Sequence, residues 1–128
     1  MVFDTAVQGG FQADILKTSQ GDLSITFIGH GSLMFTFNCY VITFGNKRVY
    51  VAGDTENIPE MKKLERIDCA FLPMNLPYTM NTEMVADAAK AFKPKILYPY
   101  HYGDTDKSNI EQLMKDTQDV EIRIRMMK

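Results

Sequence analysis

The second half of this chain alternates short apolar runs with helix-compatible segments, and that rhythm constrains the fold more than any other feature. Residues 48–52, 69–73 and 95–100 are rich in β-branched, aromatic and other apolar side chains. Helix-compatible segments follow them over 59–65, 82–92 and 108–115. Within 82–92, Met84, Val85, Ala88, Ala89 and Phe92 keep the spacing of one apolar helix face, and Thr82 is the expected cap. Pro94 introduces the strand over 95–100, Ser108 is expected to cap the helix over 108–115, and 120–125 reads as a final strand. Strands that alternate with helices pair in parallel through right-handed crossovers.

The first half has a different pattern. Segments 13–18 and 23–28 flank Ser19-Gln20-Gly21-Asp22, a turn-rich tetrad that predicts a hairpin. Segments 33–37 and 40–44 also read as strands, and Gly45-Asn46 turns the chain into a strand over 47–52. Residues 1–12 read as a flexible lead-in, because Gly9-Gly10 is flexible and nothing before it is periodic. The expected fold class is therefore α/β of the α+β sandwich type, with antiparallel strands first and alternating strands and helices after them. At 128 residues the chain suits a single domain, placed over 13–128.

Composition excludes several functions. Lys plus Arg is 14 and Asp plus Glu is 16, for a net charge of −2. A protein that holds nucleic acid through charge needs a basic surplus, so no nucleic-acid partner is expected. No apolar run approaches the ~20 residues of a membrane span, so no membrane partner is expected either. The amino terminus lacks a basic stretch followed by an apolar one, so no signal peptide is expected, and the two cysteines make a cytoplasmic location the default expectation. Cys39 and Cys69 are too few for a disulfide framework and lie in apolar runs, where reduced, buried cysteines are expected.

In open α/β sheets, ligands bind beyond the carboxyl ends of the strands. Gly53-Asp54-Thr55 follows 49–52, Asn75 follows 71–74, and His101-Tyr102-Gly103-Asp104 follows 97–100. A carboxylate, an amide and an imidazole thus fall on one sheet edge. Asp and His are the donors that zinc, manganese and iron(II) sites use. Each residue has a plainer reading: Asp54 as a turn cap, Asn75 as a turn residue, His101 as a packed imidazole between tyrosines. His30, in Gly29-His30-Gly31-Ser32, is compatible both with lining a site and with capping a bend. Asp104-Thr105-Asp106 reads as a solvated lead-in to a helix. Gly29-His30-Gly31 is not a phosphate loop, since no Lys-Ser/Thr follows, and Ser32 lacks the flanking glycines of a hydrolase elbow.

The run Ile25-Thr26-Phe27-Ile28-Gly29-His30-Gly31-Ser32-Leu33-Met34-Phe35 resembles the opening strands of metallo-β-lactamase-fold hydrolases. Within that family it is most similar to the branch of metal-dependent hydrolases resembling L-ascorbate-6-phosphate lactonase. The stretch from Tyr40-Val41-Ile42 to Val49-Tyr50-Val51-Ala52-Gly53-Asp54-Thr55 resembles the family's later strand pair and its Gly-Asp-Thr motif. Residues 68–75 resemble the next strand, and 96–103 the strand that carries the last ligand histidine. The resemblance covers about 22–37 and 39–106. It implies a sandwich of two β-sheets flanked by helices, holding two metals, usually zinc, with a bridging hydroxide that attacks an ester, lactone or phosphodiester. It implies that Asp54 is the carboxylate bridging the metals and His101 a ligand of the second. It places Asn75 near the site as a substrate-contacting or supporting residue, and His30 close by without a ligand role.

The chain also departs from that family. His-x-His-x-Asp-His, the main ligand motif, is absent, and so is the histidine expected before the Gly-Asp-Thr strand. The only histidines are His30 and His101. The family is on the order of 200–250 residues long, so the resemblance implies a shortened version with a seam near Asn38-Cys39. A catalytic zinc takes three protein ligands and a water, whereas Asp54 and His101 supply two. Cofactor loading with zinc, manganese or iron is expected only if the site assembles, for instance by pooling ligands in a homo-oligomer. The expected function is metal-dependent hydrolysis of a small-molecule substrate, impaired in this chain. The alternative is a non-catalytic remnant or a small α/β binding or oligomerisation module.

Overall fold

The computed structural model describes residues 3–8, 11–19, 21–27 and 39–128. Strands β1 (Phe3–Gln8), β2 (Phe11–Thr18) and β3 (Gly21–Phe27) form an antiparallel sheet in the order β1-β2-β3. Thr18 pairs with Gly21, so the expected hairpin forms. The expected lead-in is corrected: 3–8 is a strand, with Phe3 opposite Leu16 and Gln8 opposite Phe11. Period-2 alternation in Phe3, Thr5 and Val7 is the signal, and Gly9-Gly10 between two strands reads in sequence as a hairpin connector. His30, Ser32 and the expected strand over 33–37 lie outside the described residues.

The second sheet has the order β4-β5-β6-β7-β8. Its strands are β4 (Tyr40–Phe44), β5 (Lys47–Val51), β6 (Cys69–Pro73), β7 (Ile96–Tyr100) and β8 (Glu121–Ile122). β4 and β5 are antiparallel, and the other neighbours are parallel. Helices α1 (Pro59–Lys62), α2 (Thr82–Phe92) and α3 (Ser108–Met114) make the three parallel crossovers. Because the strand order steps one way from β5 to β8, right-handed crossovers place all three helices on one face.

Side-chain alternation then assigns the layers. Tyr50, Ala70, Leu72 and Leu97 face the helices and pack with Met61, Val85, Ala88, Ala89, Phe92, Ile110 and Met114. Phe92 meets Tyr50 edge to face at 5.9 Å, a contact worth roughly 0.5–1.5 kcal/mol beyond its burial. Val49, Val51, Cys69, Phe71, Ile96 and Tyr98 point the other way and pack with Leu16 of the first sheet. The molecule is thus a helix layer, a five-stranded sheet and a three-stranded sheet.

One polar cluster lies between the two sheets. Asp14 shares a face of β2 with Leu16 and is fully buried. Its carboxylate accepts from Tyr98 Oη at 2.6 Å, Arg123 Nη1 at 2.9 Å and Arg125 Nη2 at 3.1 Å. Several details differ from expectation. Asn81, not Thr82, caps α2, accepting from Met84 N at 2.8 Å. Asp106, not Ser108, supplies the side-chain acceptor at the start of α3, taking Ser108 N at 3.0 Å and Ser108 Oγ at 2.7 Å. Asn and Asp present a carbonyl oxygen that reaches free N–H groups directly. Cys69 is buried as expected, but Cys39 is exposed because it precedes β4, most of whose residues are exposed.

Candidate functional site

Asp54, Asn75 and His101 follow β5, β6 and β7, which are neighbours in the second sheet, so all three emerge at one edge. Hydrogen bonds tie the ends of these strands together. Ala52 N donates to Phe71 O at 3.0 Å, and Met74 N donates to Tyr100 O at 3.1 Å. The Tyr100 hydroxyl reaches across β6 and donates to the Ala52 carbonyl. Burial pushes the Tyr100 phenol well above its ordinary range, and the negative charge of Asp54 adds to the shift. Asp54 is therefore close enough to be felt by β7, while its side chain stays exposed.

Asn75 opens a tight loop. Its N–H donates to Thr79 Oγ1 at 2.9 Å, and Thr79 Oγ1 donates back to Asn75 O at 2.6 Å. Thr79 is buried, which fixes the Asn75 backbone. The Asn75 side chain lies against Gly103, where an added Cβ would fall 2.9 Å from Asn75 Nδ2. Gly103 also has φ +53°, a conformation that side chains disfavour. Two independent constraints thus require glycine, and together they bring Asn75 against the loop that carries His101.

His101 is exposed and has φ +49°. A non-glycine residue in the left-handed region costs about 1–3 kcal/mol and persists where its surroundings hold it. Here His101 N donates to Met127 O at 2.7 Å, and the buried Tyr102 hydroxyl donates to Arg125 O at 2.6 Å. The segment 125–127 therefore straps the loop in place. Beside it is a cavity of about 410 Å³ whose lining includes Tyr102, Gly103, Asp104, Lys107, Met126 and Lys128. Asp104 is 93% exposed and pairs with Lys128 at 2.5 Å, in keeping with a solvated helix lead-in.

The donor count limits the chemistry. Among the described residues, no three His, Cys, Asp or Glu side chains gather where one ion would reach them. Asp54 and His101 share an edge, but the described residues do not by themselves fit a resident catalytic metal, which takes three protein ligands. Sequence reasoning missed the buried Asp14. Cys39 lies at the same edge as Asp54, since Tyr40 pairs with Val51 and the thiol also bears on Tyr100. Asp14 carried a readable signal, a charge at a position of β2 in phase with Leu16.

Comparison with known proteins fits this architecture. Residues 9–102 match the family described as "Beta-lactamase superfamily domain". A UPF0173 metal-dependent hydrolase of Natranaerobius thermophilus is 39% identical over 85 residues, covering 62% of this chain and 38% of its own length. A crystal structure from Parabacteroides distasonis, of a protein assigned as a metal-dependent hydrolase, matches with TM-score 0.70 and 38% identity. That match covers all of this chain and 58% of the other. YhfI of Bacillus subtilis, a metallo-β-lactamase fold protein, matches with TM-score 0.60 at 17% identity over 97% of this chain and 49% of its own, which speaks to the fold alone. The chain spans well under two thirds of the length of these relatives. With the family match covering residues 9–102 and the structural matches covering nearly all of the chain, the chain belongs to the β-lactamase superfamily domain family and has the metallo-β-lactamase fold, in shortened form.

Proposed function

We propose that the carboxyl edge of the parallel sheet is this chain's share of a metal-dependent hydrolase site, with Asp54 and His101 as metal donors and Asn75 lining the site. One observation carries this reading: the three residues leave adjacent strands at one edge, within the stretch that matches the family. When bound, a metal of this family would supply an activated hydroxide for an ester, lactone or phosphodiester bond of a small molecule. Zinc, manganese and iron(II) all suit an Asp and His donor pair. The chain's own residues hold the edge: Tyr100 pins the Ala52 carbonyl beside Asp54, and Gly103 and Thr79 position Asn75. Two donors per chain leave the site short of a ligand. A second copy pooling its own pair across a two-fold axis is the proposed source. Two free cysteines suit a reducing, cytoplasmic setting.

A second reading has its own support. Asp54 and His101 are two donors where a catalytic zinc takes three, which suits a fold that keeps no catalysis of its own. Metal per chain, measured by elemental analysis on protein purified without chelator, separates the two, with the mass in solution recorded alongside. The proposal expects retained metal that drops in Asp54→Ala and in His101→Ala, together with slow hydrolysis of a generic phosphodiester or lactone. Metal content unchanged in both variants would show that the site assignment is wrong. Absent metal in the parent protein would favour the non-catalytic reading.

A further inference from the structure

At the opposite end of the same strands lies a second concavity, of about 420 Å³, that the proposed hydrolase site does not use. Its lining includes Thr43, Asn46, Arg48, Arg66, Asp68 and Lys95. The five-residue strands put it roughly 16 Å from the carboxyl edge. Its lining carries three cations and one carboxylate, in a chain whose net charge is −2. That carboxylate is already engaged: Asp68 accepts from Arg48 N at 2.8 Å and pairs with Lys95 at 3.2 Å and Lys47 at 3.9 Å. It neutralises one lysine at most, and the surplus charge stays positive.

The donors are also arranged. Arg48 Nη1 donates to Glu65 O at 2.5 Å, which fixes the guanidinium and leaves its other N–H groups to face the cavity or water. Asn46 Oδ1 accepts from Ser19 N at 3.0 Å, so its amide presents the NH₂ group as a donor. Arg66 has φ +55°, an uncommon conformation for a residue with a side chain, and has no ion-pair partner among the described residues. An arginine beside a concavity with no ion-pair partner among the described residues leaves its guanidinium N–H groups available to an anion.

We propose that this pocket binds a small oxyanion of the phosphate type, with Arg66 and Arg48 as the main contacts, Lys95 adding charge and the Asn46 amide donating a hydrogen bond. Guanidinium groups match the paired oxygens of phosphate, which favours this class over halides. The test is a titration of the intact chain with inorganic phosphate, followed by backbone amide NMR shifts. The expected result is a saturable shift confined to Asn46, Arg48, Arg66 and Lys95, matched by no shift with sodium chloride at equal ionic strength. Arg66→Gly removes the side chain while suiting the left-handed backbone, so the fold is retained. It should weaken phosphate binding about tenfold, while Lys90→Ala, an exposed lysine on α2, leaves it unchanged. Equal shifts with chloride, a response spread over the surface, or full binding by Arg66→Gly would overturn the proposal and mark the pocket as host to an adventitious ion only.

Discussion

Replacing Asp14 by Asn tests the link between the two sheets. The carboxylate is fully buried and holds Tyr98, Arg123 and Arg125, whose guanidinium-bearing side chains are only 13% and 17% exposed. The amide keeps an oxygen for the Tyr98 hydroxyl but removes the charge facing two poorly solvated cations. Breaking one side of a buried ion pair costs about 3–5 kcal/mol. The retained acceptor puts Asp14→Asn near the lower end, about 3 kcal/mol, or roughly 10 °C in Tm for a domain of this size. Tyr98→Phe, which leaves the ion pairs intact, should cost about 1.5 kcal/mol. Urea unfolding at neutral pH measures both. The pH dependence supplies a second reading. Burial raises the Asp14 carboxyl, but Tyr98, Arg123 and Arg125 outweigh it and hold the group below the usual carboxylate range. A depressed folded value contributes stability above the unfolded value near pH ~3.9, and that stability is lost as pH falls through the folded value. The parent protein should therefore lose stability below about pH 4 through a step that Asp14→Asn lacks. A cost under ~1 kcal/mol at neutral pH, or an acid limb unchanged in the variant, would refute the assignment of Asp14 as a charged anchor between the sheets.

Gly103→Ala meets both a positive φ and the Asn75 amide, so it should cost about 1–2 kcal/mol and lower Tm in a thermal melt. His101→Gly relieves the left-handed strain and should raise stability by about 1 kcal/mol in urea unfolding, while weakening any retained metal. A thiol reagent should label Cys39 rapidly in the native protein and spare Cys69, whose thiol burial pushes up to about 12, until denaturant is added. Equal labelling of both thiols in the native state would contradict this packing.

The sequence made α2 and β6 legible to the residue, since a strong apolar face and an uninterrupted buried run each have one reading. It also made the common edge of Asp54, Asn75 and His101 legible, because parallel connectivity dictates where strand ends fall. β1 was missed because a Gly-Gly pair reads equally as a hinge and as a hairpin connector, and the choice depends on a partner strand. β8 is shorter than expected, and beyond it Arg123 and Arg125 pair with Asp14. That pairing spans more than a hundred residues, beyond the reach of local pattern. The Gly103–Asn75 contact was hidden for the same reason: it is a distance between loops, not a spacing.

Stability and the candidate chemistry draw on different residues. Asp54 and His101 are exposed and contribute little to the packed layers, and His101 adds strain. The apolar layers rest on the helix-face and sheet-face clusters, with Asp14 between the sheets. The described residues can therefore close their core without a metal. The same separation predicts how metal and fold are coupled. A ligand stabilises the folded state by RT ln(1 + [L]/Kd), so a two-donor site of weak affinity adds less than about 1 kcal/mol when the ion does not exceed its Kd. A chelator should then leave the melting temperature nearly unchanged. A large drop on chelation would instead mean that a tight site assembles from more donors than Asp54 and His101.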